Sequence, residues 1–336
     1  MAFLRPTSAT LLAALLFPGF STGQHAVEAP KPIGKMVELG GHAIHVHCSG
    51  KGAPTVVIEN GFEEYSFDWV LVQSEVEKFT RVCTYDRAGY AWSEPGPKPR
   101  TFAQINLELH EALTKLGERG PFVLVGHSFG GPVIRNYFLL YPKEVSGMAL
   151  AESVSEEQRV TIGKKAVRLR DDAKGKRIPE PHEMMLAADK PAASMGTEVS
   201  ASSAVDPPFD RLPTEIQRFH LWADSQPALN DAENSEREWS PEYFAQWHAK
   251  SQAGTLGSIP LIVLTRAKGG YGNDLDIPAE QLEAERLKTQ AGLAMLSTNG
   301  TQRIVQGGHN LQVEAPAEVV RAIRDVVDAA RRQAAY

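Results

Sequence analysis

The clearest pattern along the chain is an alternation between short runs of β-branched and aromatic residues and longer stretches whose apolar side chains recur every three or four positions. "MVELGGHAIHVHCSG" (36–50) alternates around Gly40-Gly41, which predicts a two-strand hairpin. "PTVVIENG" (54–61) and "RVCTYDRAG" (81–89) are compact apolar runs ending in turn residues, as expected of strands buried on both faces. Between them Trp69, Val70, Val72 and Val76 fall at helical spacing. The stretch 101–117 places Phe102, Ile105, Leu109, Ala112, Leu113 and Leu116 on one helical face, closed by Gly117 at a C-cap position. "FVLVG", a helix after Ser128, "SGMALAES", "IPLIVLT", a helix from about 278, "QRIVQGG" and a terminal helix continue the rhythm. Such alternation predicts an α/β fold, a mainly parallel sheet with helices on both faces.

One segment departs from it. Residues 155–257 are richer in charge and proline, show no clear strand, and hold Trp222, Trp239 and Trp247, three of the five tryptophans. Because sheet elements resume beyond it, the segment is expected to be a helical cap inserted into a core of 24–154 and 258–336. Its Phe209, Phe219, Trp222, Trp239, Phe244 and Trp247 fit either an apolar substrate pocket or the insertion's own core. "EPGPKPR" (94–100), with three prolines, is expected to be a surface loop.

The chemistry concentrates at Gly126-His127-Ser128-Phe129-Gly130, a G-x-S-x-G pattern set between an apolar strand and a helix. There the turn lifts a serine hydroxyl above the sheet, flanking glycines remove Cβ atoms that would collide, and the helix N-terminus favours developing negative charge. A serine hydroxyl needs a base within hydrogen-bond reach. Among ten histidines, His309 lies in a glycine-rich loop between the last strand and the terminal helix, and follows the serine in chain order. His127, beside Ser128, is expected to point away from it and to serve the structure. His42, His45 and His47 raise the question of a metal, but strand alternation puts only two on one face, and they are read as solvated polar side chains.

On these motifs the sequence resembles the α/β-hydrolase superfamily, in its exported serine-hydrolase branch with a helical cap. "YDRAGYAWS" (85–93) looks like the family's loop after the fourth strand, and "GGHNLQVEAPAEV" (307–319) like its terminal histidine motif. The resemblance implies an eight-stranded sheet, with Ser128 as nucleophile and His309 as base. The loop "ENGFEE" (59–64) stands where the family keeps its oxyanion hole, with Asn60-Gly61 in place of the usual His-Gly, so the backbone amides of Phe62 and Phe129 are the expected donors. Asp86 and Arg87 are expected to brace the following loop. A serine rather than an aspartate at the elbow argues against the dehalogenase and epoxide-hydrolase branches. For the acid, the commonest family position falls near Lys268 and Gly269, which carry no carboxylate. Asp274 and Asp276 lie several residues on, and Glu152, at the end of the sixth strand, occupies the other position the family uses and is preferred. In the family's topology the strand ending near Cys48 lies beside the strand containing Cys83, so a Cys48–Cys83 disulfide is expected if both side chains share a face.

Composition narrows the partners. The chain has 336 residues, with 35 basic against 41 acidic and a net charge of -6, and no basic block interleaved with aromatics, which argues against nucleic acid. "MAFLRPTSATLLAALLFPGFSTGQ" places one arginine, an apolar run and small residues in the order of a secretory signal peptide, with a cut expected after Gly23 and export to the periplasm or the outside. Together these readings predict a serine hydrolase of a small carboxylic ester, with no metal or organic cofactor. An aminopeptidase or amidase of the same fold, and a non-catalytic binding protein that keeps it, are the alternatives.

Overall fold

In a computed structural model the described residues are 29–183, 204–250, 252–267, 269–271 and 274–335; the leader-like 1–23 and Lys268 lie outside them. The strands β1 (Lys35–Glu38), β2 (Ala43–Ser49), β3 (Val56–Glu59), β4 (Val82–Tyr85), β5 (Phe122–His127), β6 (Val145–Ala151), β9 (Leu261–Arg266) and β10 (Gly300–Val305) form one sheet, separated in chain order by a small pair, β7 (Arg159–Ile162) and β8 (Lys165–Arg168). The order across the large sheet is β1-β2-β4-β3-β5-β6-β9-β10. Only the β1–β2 and β2–β4 pairings are antiparallel; the rest run parallel. The strand order reverses direction between β3 and β5, and in open α/β sheets a crevice opens at the carboxyl ends of the strands at such a point.

Helices cover both faces. On one, α1 (Val70–Val76) and α8 (Pro316–Ala334) bury Trp69, Val72, Val76, Ile323, Val326 and Val327 against Val56, Val123 and Val125. On the other, α2 (Phe102–Leu116), α3 (Gly130–Leu140) and α6 (Ala279–Ala294) bury Leu109, Leu113, Ile134, Tyr137 and Leu293 against Val57, Leu124 and Leu150. Each such side chain contributes roughly 1.5–3 kcal/mol when fully buried. Helix α2 starts where Thr101 accepts the Gln104 amide and stops where Gly117 takes φ +79°, a left-handed cap that costs glycine little.

Between β6 and β9 run α4 (Thr214–Asp224) and α5 (Pro227–Ala249). The expectation of no strand there is corrected by β7 and β8. Ile162 pairs with Lys165, leaving Gly163-Lys164 as a two-residue turn in which Gly163 adopts φ +59°, the positive φ such hairpin turns require.

Cys48 and Cys83 face each other across β2 and β4, and the expected disulfide joins them, with Cα atoms 4.0 Å apart at a sequence separation of 35. Closing a loop of that length removes chain entropy from the unfolded state, worth about 3 to 4 kcal/mol in the loop-entropy model. Reduction is therefore expected to lower the thermal midpoint by several degrees. A calorimetric scan with and without reductant measures it, and coincident transitions would show that the bridge does not stabilise the fold.

Candidate active site

Strand β5 ends at His127 and its neighbour β6 at Ala151, and these two residues are register partners. The next residue of each chain segment is Ser128 in one case and Glu152 in the other. Both take positive φ, 49° and 43°, a conformation that costs a non-glycine residue of order 1–3 kcal/mol and clusters at functional sites. The surrounding glycines make the Ser128 turn possible. A Cβ on Gly126 would lie 2.7 Å from the Gly130 carbonyl oxygen, and one on Gly130 would lie 2.4 Å from the Glu59 carbonyl oxygen.

His309, in the loop between β10 and the one-turn α7 (Leu311–Glu314), brings Nε2 to 3.0 Å from Ser128 Oγ. Behind the ring, Glu152 Oε2 lies 4.0 Å from Nδ1. The Glu152 carboxylate is buried and held by others: Oε1 accepts from the Arg266 amide at 2.7 Å and from Arg286 Nη1 at 2.9 Å, and Oε2 lies 3.2 Å from Arg266 Nη1. Arg266 Nη1 is also 3.4 Å from His309 Nδ1. Burial pushes the Glu152 pKa up, yet His309, Arg266 and Arg286 together hold it below the ordinary carboxylate value. His309 exposes 43% of its side chain, but the protein packed around the ring disfavours the cation, and its pKa falls below 6.5 even with Glu152 pulling it up. The arrangement is a hydroxyl, a neutral imidazole and an ionised carboxylate in sequence.

Of the alternative acids, Asp274 pairs with Lys164 and is 85% exposed, and Asp276 accepts the Ala166 amide at 2.8 Å. Both are spent on the β7–β8 hairpin rather than on His309. Phe62 and Phe129 flank the serine, their rings stacked with centroids 3.9 Å apart, and a Cβ on Gly61 would come within 3.1 Å of Ser128 Cβ. Phe244 and Trp247 join Phe129 in one apolar cluster, whereas Trp222 packs with Tyr90 and Trp92.

Residues 54–252 match the family model for the alpha/beta hydrolase fold. The chain belongs to that family. A bifunctional epoxide hydrolase of Rattus norvegicus is 24% identical over 351 residues, taking in 89% of this chain and 57% of that protein. A probable transporter of Hormonema carpetanum is 27% identical over 129 residues, 36% of this chain and 18% of its own length; the chain thus spans less than two thirds of these curated relatives. Among solved structures, a thermophilic esterase from Thermogutta terrifontis superposes with a TM-score of 0.55 at 18% identity, covering 88% of this chain and 97% of that one. A candidate epoxide hydrolase from Pseudomonas aeruginosa gives 0.59 at 18% identity, covering 89% and 96%.

Within this alpha/beta hydrolase, the loop after β3 is fastened from below. Arg87 donates through Nη1 to the Asn60 carbonyl at 2.7 Å and through Nη2 to the Gly61 carbonyl at 2.9 Å. Its charge is matched by Glu59, and by Glu236 of α5 at 3.0 Å. Glu233 of α5 accepts the Glu63 amide at 2.7 Å. Asp86 accepts the Ser66 amide and faces His45 Nδ1, each at 2.8 Å. The reading of His42, His45 and His47 as solvated is corrected: His42 and His45 are buried, and His42 lies 3.2 Å from Glu108, while His47 is half-buried.

Sequence reasoning passed over Glu64, Arg266 and Arg286. Arg266 did leave a signal, a charged residue closing the otherwise apolar strand "LIVLTR" at the carboxyl end of the sheet, where ligands bind in this class of fold. Glu64 and Arg286 left none, because the partners that tie them to the site, His127 and Glu152, lie far off in sequence.

Proposed function

We propose that the protein is a serine hydrolase that cleaves a carboxylic ester through an acyl-enzyme on Ser128. The observation that carries this reading is the 3.0 Å approach of His309 Nε2 to a Ser128 hydroxyl displayed on a positive-φ turn. Ser128 Oγ attacks the ester carbonyl carbon while His309 Nε2 takes its proton. The oxyanion so formed meets the amides of Phe62 and Phe129. The tetrahedral intermediate collapses, His309 returns the proton to the departing alcohol, and the acyl group stays on Ser128. Water, deprotonated by His309, then releases the acid. Glu152 stabilises the imidazolium in both halves, once the distance to Nδ1 shortens as substrate settles the site.

The serine also separates this reading from the epoxide hydrolases among its relatives. Opening an epoxide with a serine oxygen would leave an ether on the enzyme, which water does not release, whereas an acyl-serine ester hydrolyses readily. Labelling with a fluorophosphonate tests the reading: stoichiometric modification of Ser128 is expected, and an unmodified serine in the folded protein would overturn it. A panel of p-nitrophenyl esters of rising chain length, run beside aminoacyl anilides, then separates esterase from amidase.

The lowered pKa of His309 gives a pH prediction. The base works only when neutral, so kcat/KM is expected to rise with pH through a midpoint below 6.5 and then hold. A midpoint above 6.5 in the pH profile would mean that Glu152 outweighs the desolvation of the ring.

A further inference from the structure

Behind the serine and its base lies a second histidine–carboxylate pair. His127 is fully buried, one residue before Ser128. Its Nε2 is 2.8 Å from the backbone carbonyl oxygen of His309, and its Nδ1 is 2.7 Å from Glu64 Oε1. Nε2 thus hydrogen-bonds a carbonyl oxygen, while Nδ1 lies at ion-pair distance from a carboxylate oxygen without an aligned hydrogen bond. A neutral imidazole carries one proton and one lone pair, so either tautomer would leave an unprotonated ring nitrogen within 2.8 Å of an oxygen, too close for a water between them. Glu64 is committed to its ionised form by other donors: the Gly61 amide at 2.7 Å on Oε2 and Gln312 Nε2 at 3.0 Å on Oε1. Hydrogen bonds donated to a carboxylate favour its charged state. The remaining solution is a buried imidazolium–carboxylate pair.

We propose that His127 is held as an imidazolium and acts as a positioning residue, fixing the loop that carries His309 and biasing the His309 ring toward its neutral, proton-accepting form. The two rings lie with centroids 4.8 Å apart, close enough for one cation to oppose a second. The charged groups facing His127 come from three elements. Glu64 belongs to the loop after β3, His309 to the loop after β10, and Glu152 to the end of β6, where Arg266 and Arg286 already match it; the Trp69 ring presents an uncharged edge. Burial pushes the His127 pKa down, but Glu64 and the His309 carbonyl more than reverse this and raise it above 6.5. Glu64 also ties two parts of the site together, since one oxygen takes the Gly61 amide of the loop after β3 and the other meets His127 and, three residues beyond His309, Gln312.

The effect on turnover rests on the serine-hydrolase reading, but the protonation state does not, and the test separates them. In protein labelled with ¹⁵N-histidine, long-range ¹H–¹⁵N correlation at about pH 8, well above the ordinary histidine pKa of about 6.5, is expected to show both His127 nitrogens protonated. A lone-pair nitrogen signal from His127 at that pH overturns the proposal. His127→Gln keeps a donor for the His309 carbonyl but removes the charge and leaves Glu64 uncompensated. The His309 titration seen in the same spectra is then expected to move up by about half a pH unit or more, a threefold or larger change in its protonation constant. The acid limb of kcat/KM, normalised to each protein's own plateau, should follow it. An unmoved His309 titration in a folded variant rejects the tuning role. A titration that moves while no hydrolysis is found by either protein keeps the pair and rejects the esterase reading. If the glutamine variant does not fold, the wild-type spectrum alone still decides the imidazolium.

Discussion

Replacing Ser128 with alanine is expected to lower kcat for ester hydrolysis by on the order of 10⁵–10⁶, to what the remaining site achieves without a nucleophile, as in a well-studied serine protease. Such a loss corresponds to roughly 7–8 kcal/mol of transition-state stabilisation. The fold should not register the change. Serine and alanine both carry a Cβ, so the strain at φ 49° is the same in each, and the lost hydroxyl sits at a half-exposed position. The decisive measurement is therefore paired: turnover of a p-nitrophenyl ester beside a thermal melt. Retained turnover with an unchanged melting point would remove Ser128 from the chemistry. His309→Ala should show a loss of similar size, since a nucleophile and its base act as a unit and their effects do not add.

Glu152→Gln is expected to lower kcat by about 10³–10⁴, in line with neutralising the acid of a well-studied triad. Glutamine keeps the side-chain length and an oxygen for the Arg266 amide, but it cannot balance the imidazolium that forms on His309. Two guanidinium groups press on the same carboxylate, Arg266 at 3.2 Å and Arg286 at 2.9 Å; Arg286 keeps Glu283 at 2.7 Å, but the substitution leaves buried Arg266 without this countercharge, and stability should fall with activity. Breaking a buried pair in this way costs about 3–5 kcal/mol. Comparing kcat with the melting point at a temperature where the variant is folded separates the two losses. Asp274→Asn and Asp276→Asn, which touch the β7–β8 hairpin, are expected to stay within about twofold of wild type, the usual reach of surface changes. A strong loss in either, with Glu152→Gln active, would reassign the acid.

What the sequence made legible was local. Gly126, Ser128 and Gly130 act within one turn, so their spacing carries the whole argument, and His309 stands out in a glycine-rich loop. The sheet was readable because β3, β5 and β6 are buried on both faces and therefore mostly apolar. The β7–β8 hairpin was not, since its strands are short and charged, though Gly163 was a usable turn signal. The pairs that lie behind the site were hidden for a different reason. Glu64 meets His127 and Gln312, and Glu152 meets Arg286, across separations along the chain that no periodicity records. His42 and His45 show the converse error: polar residues were read as solvated, but Ser66, after β3, and Trp92, after β4, cover His45, and His42 meets Glu108 of α2.

The attachment of α5 to the loop after β3 bears on how this protein can be recombined with its relatives. Glu233 and Glu236 sit one turn apart on the helix, and the loop they hold belongs to the other part of the chain. A chimera that imports a foreign segment between β6 and β9, or a linker in its place, would strand Arg87 as a fully buried guanidinium with half its countercharge gone. The backbone it grips at Asn60 and Gly61 would then be free to drift. The segment between β6 and β9 is therefore not a cassette that can be exchanged at its ends; a graft that keeps Arg87 buried needs an acid at the place of Glu236.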